Sequence, residues 1–147
     1  MTSEATRIRS TDAMRQTVRD LFERVMNAGD VELVDELAHP EFVNHEAEPE
    51  RRHGPGAWAA TRNHLRSAFG DVTYEILHVL ADGDLAAVRL MMRGTHEGGI
   101  PPGVPATHRP FEMRHVHMFR FADDGRVTEH WAGRDDLGAM RQVGLLG

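Results

Sequence analysis

The chain has 147 residues, which fits one domain over residues 1–147 and is too short for a cofactor-binding domain beside a separate substrate domain. Its 17 basic and 23 acidic residues give a formal net charge of -6 without a Lys/Arg-rich block, so nucleic acid is not an expected partner. The absence of cysteine excludes disulfides, thiolate catalysis and Cys-ligated metals.

The chain opens with a polar segment, residues 1–10, that is not followed by the apolar stretch of a signal peptide. No later run approaches the roughly 18 apolar residues that a membrane span needs. We therefore expect a soluble, cytoplasmic protein that does not contact a membrane.

Three helices are predicted in the first half of the chain. The first stops at residues 27–29 and has apolar residues at helical spacing: Met14, Val18, Leu21, Phe22 and Val25. A shorter second helix covers about residues 31–38 and cannot continue past Pro40. The third begins at Pro55, which suits a first helical position, and carries its larger side chains on one stripe: Trp58, Thr61, Leu65 and Phe69.

From residue 71 the apolar period changes to two, which is typical of strands. Residues 72–96 predict a hairpin in which Asp82-Gly83 supplies the positive φ angles of a tight turn. The Gly/Pro-rich segment 97–107 fits neither helix nor strand and could border or cover a site as a lid. A second hairpin over 111–134 and a short C-terminal helix complete an α+β order, a curved antiparallel sheet with the three N-terminal helices packed on one face.

The turn of the second hairpin decides which of its side chains share a face. A three-residue loop, Asp123-Asp124-Gly125, pairs Phe121 with Val127 and His117 with Trp131. A two-residue loop would shift the register by one and separate His117 from Trp131. We favour the longer loop because it gathers one set of side chains on a single face: Phe111, Met113, His115, His117, Phe119, Phe121, Trp131 and, at its edge, Asp135.

Asp135 is the predicted general base on this face. An apolar cavity raises the pKa of a carboxylate and excludes water, so the carboxylate can remove a proton next to a carbonyl group. Trp131, four residues earlier, would shield it from solvent. The alternative is that Asp135 is the N-cap of the last helix, although Asp136 is equally placed for that role. The doublet lets one aspartate cap while the other reacts. If Asp135 is only the cap, His117 is the next candidate for the catalytic base.

The polar candidates around this base are histidines and one asparagine. His115 and His117 would contact substrate oxygens, or else be polar side chains satisfied within a strand. His96, at the end of its strand, and Asn44-His45, after the second helix, face either a pocket or its edge. Trp58, Met113 and Phe119 would be apolar wall.

A metal site built from these side chains is conceivable, because imidazole and carboxylate groups are ligands for zinc and iron. The combination would be His96, His115, His117 and Asp135. An H-x-H pair alone is weak evidence, and no complete metalloenzyme motif such as H-E-x-x-H is present. We therefore predict neither a metal nor an organic cofactor.

Several segments taken together resemble the SnoaL-like polyketide cyclases, a family in the cone-shaped α+β superfamily that includes nuclear transport factor two and ketosteroid isomerase. The segments are "NAGDVELVDELAHPEFVNH", "GPGAW", "GDLAAVRLMMRGTHEG", "HVHMFRFADDGRVTEHW" and "RDDLGAMRQVG". Each is weak alone, but their order and spacing cover about residues 12–144.

The resemblance implies a pocket between the helices and the sheet, and a homodimer formed through the sheet's outer face. Cyclases of this kind close a polyketide ring by intramolecular aldol condensation without a cofactor, using an aspartate as general base and then acid. The matching position in "HWAGRD" is Asp135. His117, with His96 and His45 as further candidates, would line the same pocket.

We therefore predict a cyclase that acts on a small hydrophobic, polyketide-like carbonyl compound. The alternatives are a related hydroxylase or hydrolase that uses the same pocket, and a non-enzymatic module for small-molecule binding or dimerisation. A homodimer is also expected because apolar strand positions, among them Leu77, Val79 and Val88, would otherwise form a solvent-facing patch.

Overall fold

The computed structural model describes residues 9–146. The helical segments in the first half of the chain are α1 (Thr11–Arg19), its π-helical continuation (Asp20–Asn27), a 3-10 turn (Val31–Leu33) leading into α2 (Val34–Leu37), a second 3-10 turn (Pro49–Arg51) and α3 (Gly56–Ala68). The strands are β1 (Ala38–Asn44), β2 (Thr73–Asp82), β3 (Leu85–Thr95), β4 (Pro110–Phe121) and β5 (Val127–Arg134), and α4 (Asp136–Gln142) follows them.

Helix α1 and its continuation cover the inner face of the sheet. Ser10 begins the helix, because its side-chain oxygen accepts a hydrogen bond from the Ala13 N–H at 3.0 Å. The predicted apolar stripe from Met14 to Val25 is buried against β2 and β3, so the prediction of this helix is confirmed. No helix within residues 9–146 combines the length and the apolar character that a membrane crossing requires.

The five strands form one sheet in the order β1-β5-β4-β3-β2. Four of them pair antiparallel, as predicted, whereas β1 pairs parallel with β5 along one edge. The sequence analysis missed β1, because its burial does not alternate and Pro40 lies within it. Proline removes a backbone donor, which an edge strand tolerates.

The loop of the β4–β5 hairpin is the predicted one. Residues 123–125 connect Ala122 to Arg126, whose carbonyl accepts the Ala122 N–H at 2.9 Å, and Gly125 has a positive φ of 86°. Phe121 pairs with Val127, also as predicted. In the first hairpin, positive φ angles were predicted for both Asp82 and Gly83. Of the two, Gly83 alone has a positive φ.

The register beyond that loop differs from the prediction. Arg120 pairs with Glu129, so β5 has one extra residue, Thr128, at a bulge. From there each pairing moves by one position, and His117 lies opposite Ala132 instead of Trp131. A one-residue shift exchanges the two faces of a strand, so His130 takes the inner face and Trp131 the outer face.

The outer face of the sheet also differs from the prediction. Val88 is fully buried on the inner face, and Leu77 and Val79 are half-buried. The apolar side chains of this face that are exposed to solvent are Leu80, 70% exposed, Val116, 50% exposed, and Met118, 41% exposed. Met118 belongs to a row of cross-strand neighbours on this face: Leu80, Ala87, Met118 and Trp131.

Candidate functional site

A cavity of about 720 Å³ lies between the helices and the inner face of the sheet. The lining comes from α1's continuation, α3, all five strands, α4 and the segment 97–107, of which Gly99 to Pro102 take part. Small-molecule sites in proteins have volumes of about 300–1,000 Å³ and mostly apolar walls with a few polar groups. This cavity is therefore the candidate site, and the prediction that segment 97–107 borders the site is confirmed.

Three imidazoles form a hydrogen-bonded row along one wall, which we call the histidine row: His115, His117 and His130. His115 Nδ1 lies 3.0 Å from His117 Nε2, and His117 Nδ1 lies 2.8 Å from His130 Nε2. His130 Nδ1 contacts Asn44 Oδ1 at 2.8 Å. The alternation of β4 places His115 and His117 on the inner face, and the β5 bulge brings His130 beside them.

The histidine row is neutral near pH 7. Burial lowers the pKa of His115 to about 4, and the positive charge of Arg134 acts in the same direction. Burial also lowers the pKa of His130 to about 3 and holds that of His117 well below its usual range. A neutral imidazole has one N–H donor and one lone pair, so the row can accept as well as donate hydrogen bonds.

Two buried donors on the cavity lining have no hydrogen-bond partner among the described residues: Trp58 Nε1 and the Tyr74 hydroxyl. Burial raises the pKa of the Tyr74 hydroxyl, so this group stays protonated. An unsatisfied buried polar group costs about 1–3 kcal/mol, which a ligand oxygen would recover. Both residues line the cavity, so a ligand that reaches either buried donor would supply a carbonyl oxygen as its missing acceptor.

His96 holds the segment 97–107 against the cavity by hydrogen bonds. Its Nδ1 accepts the Thr107 N–H at 3.2 Å, so its Nε2–H donates to the Ile100 carbonyl at 2.8 Å. Both ring nitrogens are thereby occupied by the segment. His96 lines the cavity as predicted, but its polar atoms hold the loop and are not free for a ligand.

The predicted base lies at the mouth of the cavity, which we call the rim: Arg134, Asp135 and Asp136. Asp135 is exposed, and its Oδ1 accepts the Gly138 N–H at 3.0 Å as the N-cap of α4. Asp135 therefore caps α4, as the alternative predicted, while its role as the base stays a prediction. Asp136, not Asp135, is on the cavity lining, and its carboxylate lies 3.6 Å from Arg134 Nε.

The structure brings together six of the ten predicted site residues: Asn44, Trp58, His96, Met113, His115 and His117. The shielding of Asp135 by Trp131 is wrong, because Trp131 is on the outer face, where its ring stacks on His45 at 5.1 Å. The placement of His45 in the pocket is also wrong, since its Nε2 pairs with Glu129 Oε2 at 2.9 Å. Phe119 is fully buried behind the lining and packs on Trp58.

His130 and Tyr74 are among the polar residues of the site that the sequence analysis missed. His130 stands beside Trp131 in "EHW", and only the bulge decides which of the two points inward. Tyr74 is the one tyrosine of the chain and stands at the start of a period-two pattern. That position could have identified it as an inward-facing residue of the sheet. Within residues 9–146 no three His, Asp or Glu side chains are grouped as metal ligands would be, and the absence of a metal stays a prediction.

Comparison with known proteins identifies the family. The family model described as SnoaL-like polyketide cyclase matches residues 12–143. The chain belongs to the SnoaL-like polyketide cyclase family. The family, the α+β fold and the enzymatic class predicted from the sequence are therefore confirmed.

Two curated relatives and two solved structures illustrate the likeness. Aklanonic acid methyl ester cyclase DnrD of Streptomyces peucetius is 34% identical over 132 residues, covering 85% of this chain and 89% of the relative. Nogalonic acid methyl ester cyclase of Streptomyces nogalater is 31% identical over 120 residues, covering 80% and 88%. IdmH of Streptomyces antibioticus is 34% identical with a TM-score of 0.74, covering 89% of this chain and 98% of that chain. TsrD of Streptomyces laurentii is 30% identical with a TM-score of 0.76, covering 90% and 98%.

Proposed function

We propose that this protein closes a ring in a polyketide ester by intramolecular aldol addition without a cofactor. A base removes a proton from the carbon next to a carbonyl group, and the resulting enolate carbon attacks a second carbonyl carbon of the same molecule. One C–H bond breaks, one C–C bond forms, and the new alkoxide takes a proton. Substrate and product are therefore isomers of equal mass.

The observation that carries this proposal is the pairing of an apolar cavity with donors that lack partners, Trp58 Nε1 and the Tyr74 hydroxyl. An enolate is stabilised by fixed donors in a water-poor site, and such stabilisation is often the largest contribution to catalysis. The names of the two curated relatives, both methyl ester cyclases, support the substrate class.

For the proton transfer we propose Asp135, the position that the family resemblance indicates, acting from the rim. It immediately precedes α4, whose residues Asp136, Ala139 and Met140 line the cavity, so a substrate that fills the mouth would cover it. Only its Oδ1 is used by the cap. Asp136 is a weaker candidate because its carboxylate already lies 3.6 Å from the Arg134 guanidinium.

Aklanonic acid methyl ester, the compound in the name of one relative, is the first substrate to test. We expect the purified protein, without added metal or cofactor, to convert it to an isomer of unchanged mass, followed by liquid chromatography with mass spectrometry. A product that has gained one oxygen atom would support the hydroxylase alternative, and the free acid, formed when water is added and methanol released, would support the hydrolase. Binding without conversion of this or the nogalonic ester would contradict the cyclase proposal and favour a binding module.

We also propose a homodimer through the outer face of the sheet, in a cytoplasmic protein. Val116 is exposed beside the row that includes Leu80, Met118 and Trp131. A contiguous apolar patch of this kind marks an interaction surface. Sedimentation at micromolar concentration should show a dimer for the natural chain and a monomer for Val116→Glu. The matched control is Leu137→Glu, which changes an exposed apolar residue of α4 and should remain dimeric. A monomeric natural chain would refute the proposal.

A further inference from the structure

The hydrogen bonds of Asn44 fix the direction of its side-chain amide. The Glu46 backbone N–H donates to Asn44 Oδ1 at 3.0 Å, and Asn44 Nδ2 donates to Thr61 Oγ1 at 3.1 Å. A backbone N–H can only donate, so the atom facing it is the amide oxygen. The same oxygen lies 2.8 Å from His130 Nδ1, which must therefore carry the hydrogen.

This direction propagates along the whole histidine row, because each neutral imidazole has a single N–H and a single lone pair. With its hydrogen on Nδ1, His130 accepts at Nε2 from the Nδ1–H of His117. His117 in turn accepts at Nε2 from the Nδ1–H of His115. The lone pair left over is on the Nε2 of His115, a residue of the cavity lining.

The opposite direction has one contact in its favour. His115 Nε2 lies 3.1 Å from Met113 Sδ, and a hydrogen on Nε2 would donate to this sulfur. A thioether is only a weak acceptor. In the reversed row the lone pair of His130 Nδ1 would face the lone pairs of Asn44 Oδ1. If the Asn44 amide were turned to avoid this, its NH2 group would face the Glu46 N–H, and two donors would oppose each other. These buried conflicts cost more than the sulfur contact returns, and the flexible Met113 side chain can move aside.

We propose that His115 Nε2 and the Tyr74 hydroxyl form a recognition pair for a ring system that carries a phenolic or enolic hydroxyl and a carbonyl oxygen. The ligand hydroxyl donates to His115 and displaces Met113, while Tyr74 donates to the carbonyl oxygen. The two rings lie 6.4 Å apart, centroid to centroid, on one lining. Asn44 is a positioning residue in this scheme, acting through His130 and His117. Only the identification of the ligand as a polyketide rests on the proposed function.

The direction of the row can be measured without substrate or turnover. Two-bond 1H–15N correlation spectra of the full chain labelled with 15N-histidine distinguish Nδ1–H from Nε2–H tautomers. We expect Nδ1–H for His115, His117 and His130, and loss of this uniform pattern in Asn44→Leu. An Nε2–H tautomer at His115 in the natural protein would overturn the proposal, whether or not the protein is a cyclase.

Recognition of the hydroxyl can be tested with two small probes, 1-naphthol and its methyl ether, 1-methoxynaphthalene. The natural protein should bind the naphthol roughly three- to tenfold more tightly by titration, as expected for one added hydrogen bond. His115→Phe should remove this preference, whereas the control His78→Phe, exposed on β2 and outside the lining, should keep it. Equal affinities in the natural protein, or a preference that survives His115→Phe, would overturn the acceptor role.

Recognition of the carbonyl is tested with 1-acetonaphthone. Tyr74→Phe removes only the hydroxyl, so it should lower the affinity for this ketone about three- to tenfold. The preference for naphthol over its methyl ether should remain. Unchanged binding of the ketone would remove Tyr74 from the pair.

Discussion

Acidification from about pH 7.5 to about pH 4 is expected to lower the free energy of unfolding by several kcal/mol, because the histidine row must stay neutral in the fold. The pKa of His115 is about 4 and that of His130 about 3, against an ordinary value of 6.5. Each unit of difference is worth about 1.4 kcal/mol, so His115 alone contributes roughly 3 kcal/mol.

The sign follows from where protons bind. Between the folded and the ordinary pKa values, the unfolded chain binds protons that the folded chain does not, so stability rises with pH. The histidine contribution is therefore fully present above about pH 6.5 and is lost progressively as the pH falls toward 4. Arg134, whose positive charge faces the row from β5, acts in the same direction as burial.

Urea unfolding at a series of pH values measures this loss. The interval from about pH 6.5 to 5 is the most informative, because ordinary carboxylates remain largely ionised there and histidines dominate the slope. His115→Phe should flatten the slope, while His78→Asn, a change at an exposed histidine, should leave it unchanged. A free energy of unfolding that is constant across this interval would contradict the buried, neutral row.

The sequence was sufficient to predict features that depend on local spacing. The apolar stripe of α1, the start of α3 near Pro55 and the loop at residues 123–125 each follow from residues close together in the chain, and the structure has all three. The family segments in their order gave the fold class. Edge strand β1 was missed because it follows α2 directly, and its parallel partner β5 is about 90 residues away.

The set of side chains that line the site was less predictable, because it depends on one unpaired residue of β5, Thr128. The loop prediction was correct, yet the bulge at Thr128 exchanged His130 and Trp131 between the two faces. Nothing in "RVTEHW" distinguishes a regular strand from a bulged one, since either register buries an aromatic or imidazole ring. The burial of His130 against Trp58, at 4.8 Å between ring centroids, is a tertiary contact that spans α3 and β5.

The aspartate doublet shows the same limit at the end of β5. Helix capping was predictable, because an aspartate suits the residue before a first helical turn. Which aspartate caps depends on where the helix begins, and α4 begins at Asp136. The cap therefore falls to Asp135, and Asp136 is left on the cavity lining.

Asp135→Asn is expected to lower the rate of cyclisation by about 10²–10⁴-fold, the usual effect of removing a positioned acid/base group. Asparagine caps a helix about as well as aspartate, so the free energy of unfolding should change little. Loss of turnover in a variant of natural stability would therefore report on proton transfer and not on the cap. Asp135→Ala, which removes both functions, should in addition lose about 0.5–2 kcal/mol of stability.

Asp136→Asn is the matched control, because the neighbouring carboxylate is on the cavity lining but paired with Arg134 at 3.6 Å. It should keep most of the activity on the same ester. If Asp135→Asn kept full turnover, Asp135 would be a cap and nothing more, and the proton acceptor would have to lie inside the cavity. His117, the second candidate base from the sequence, could not accept the proton, because its two ring nitrogens are hydrogen-bonded to His115 and His130. The acceptor would be His115, whose Nε2 is the one nitrogen of the row bound neither to another imidazole nor to Asn44.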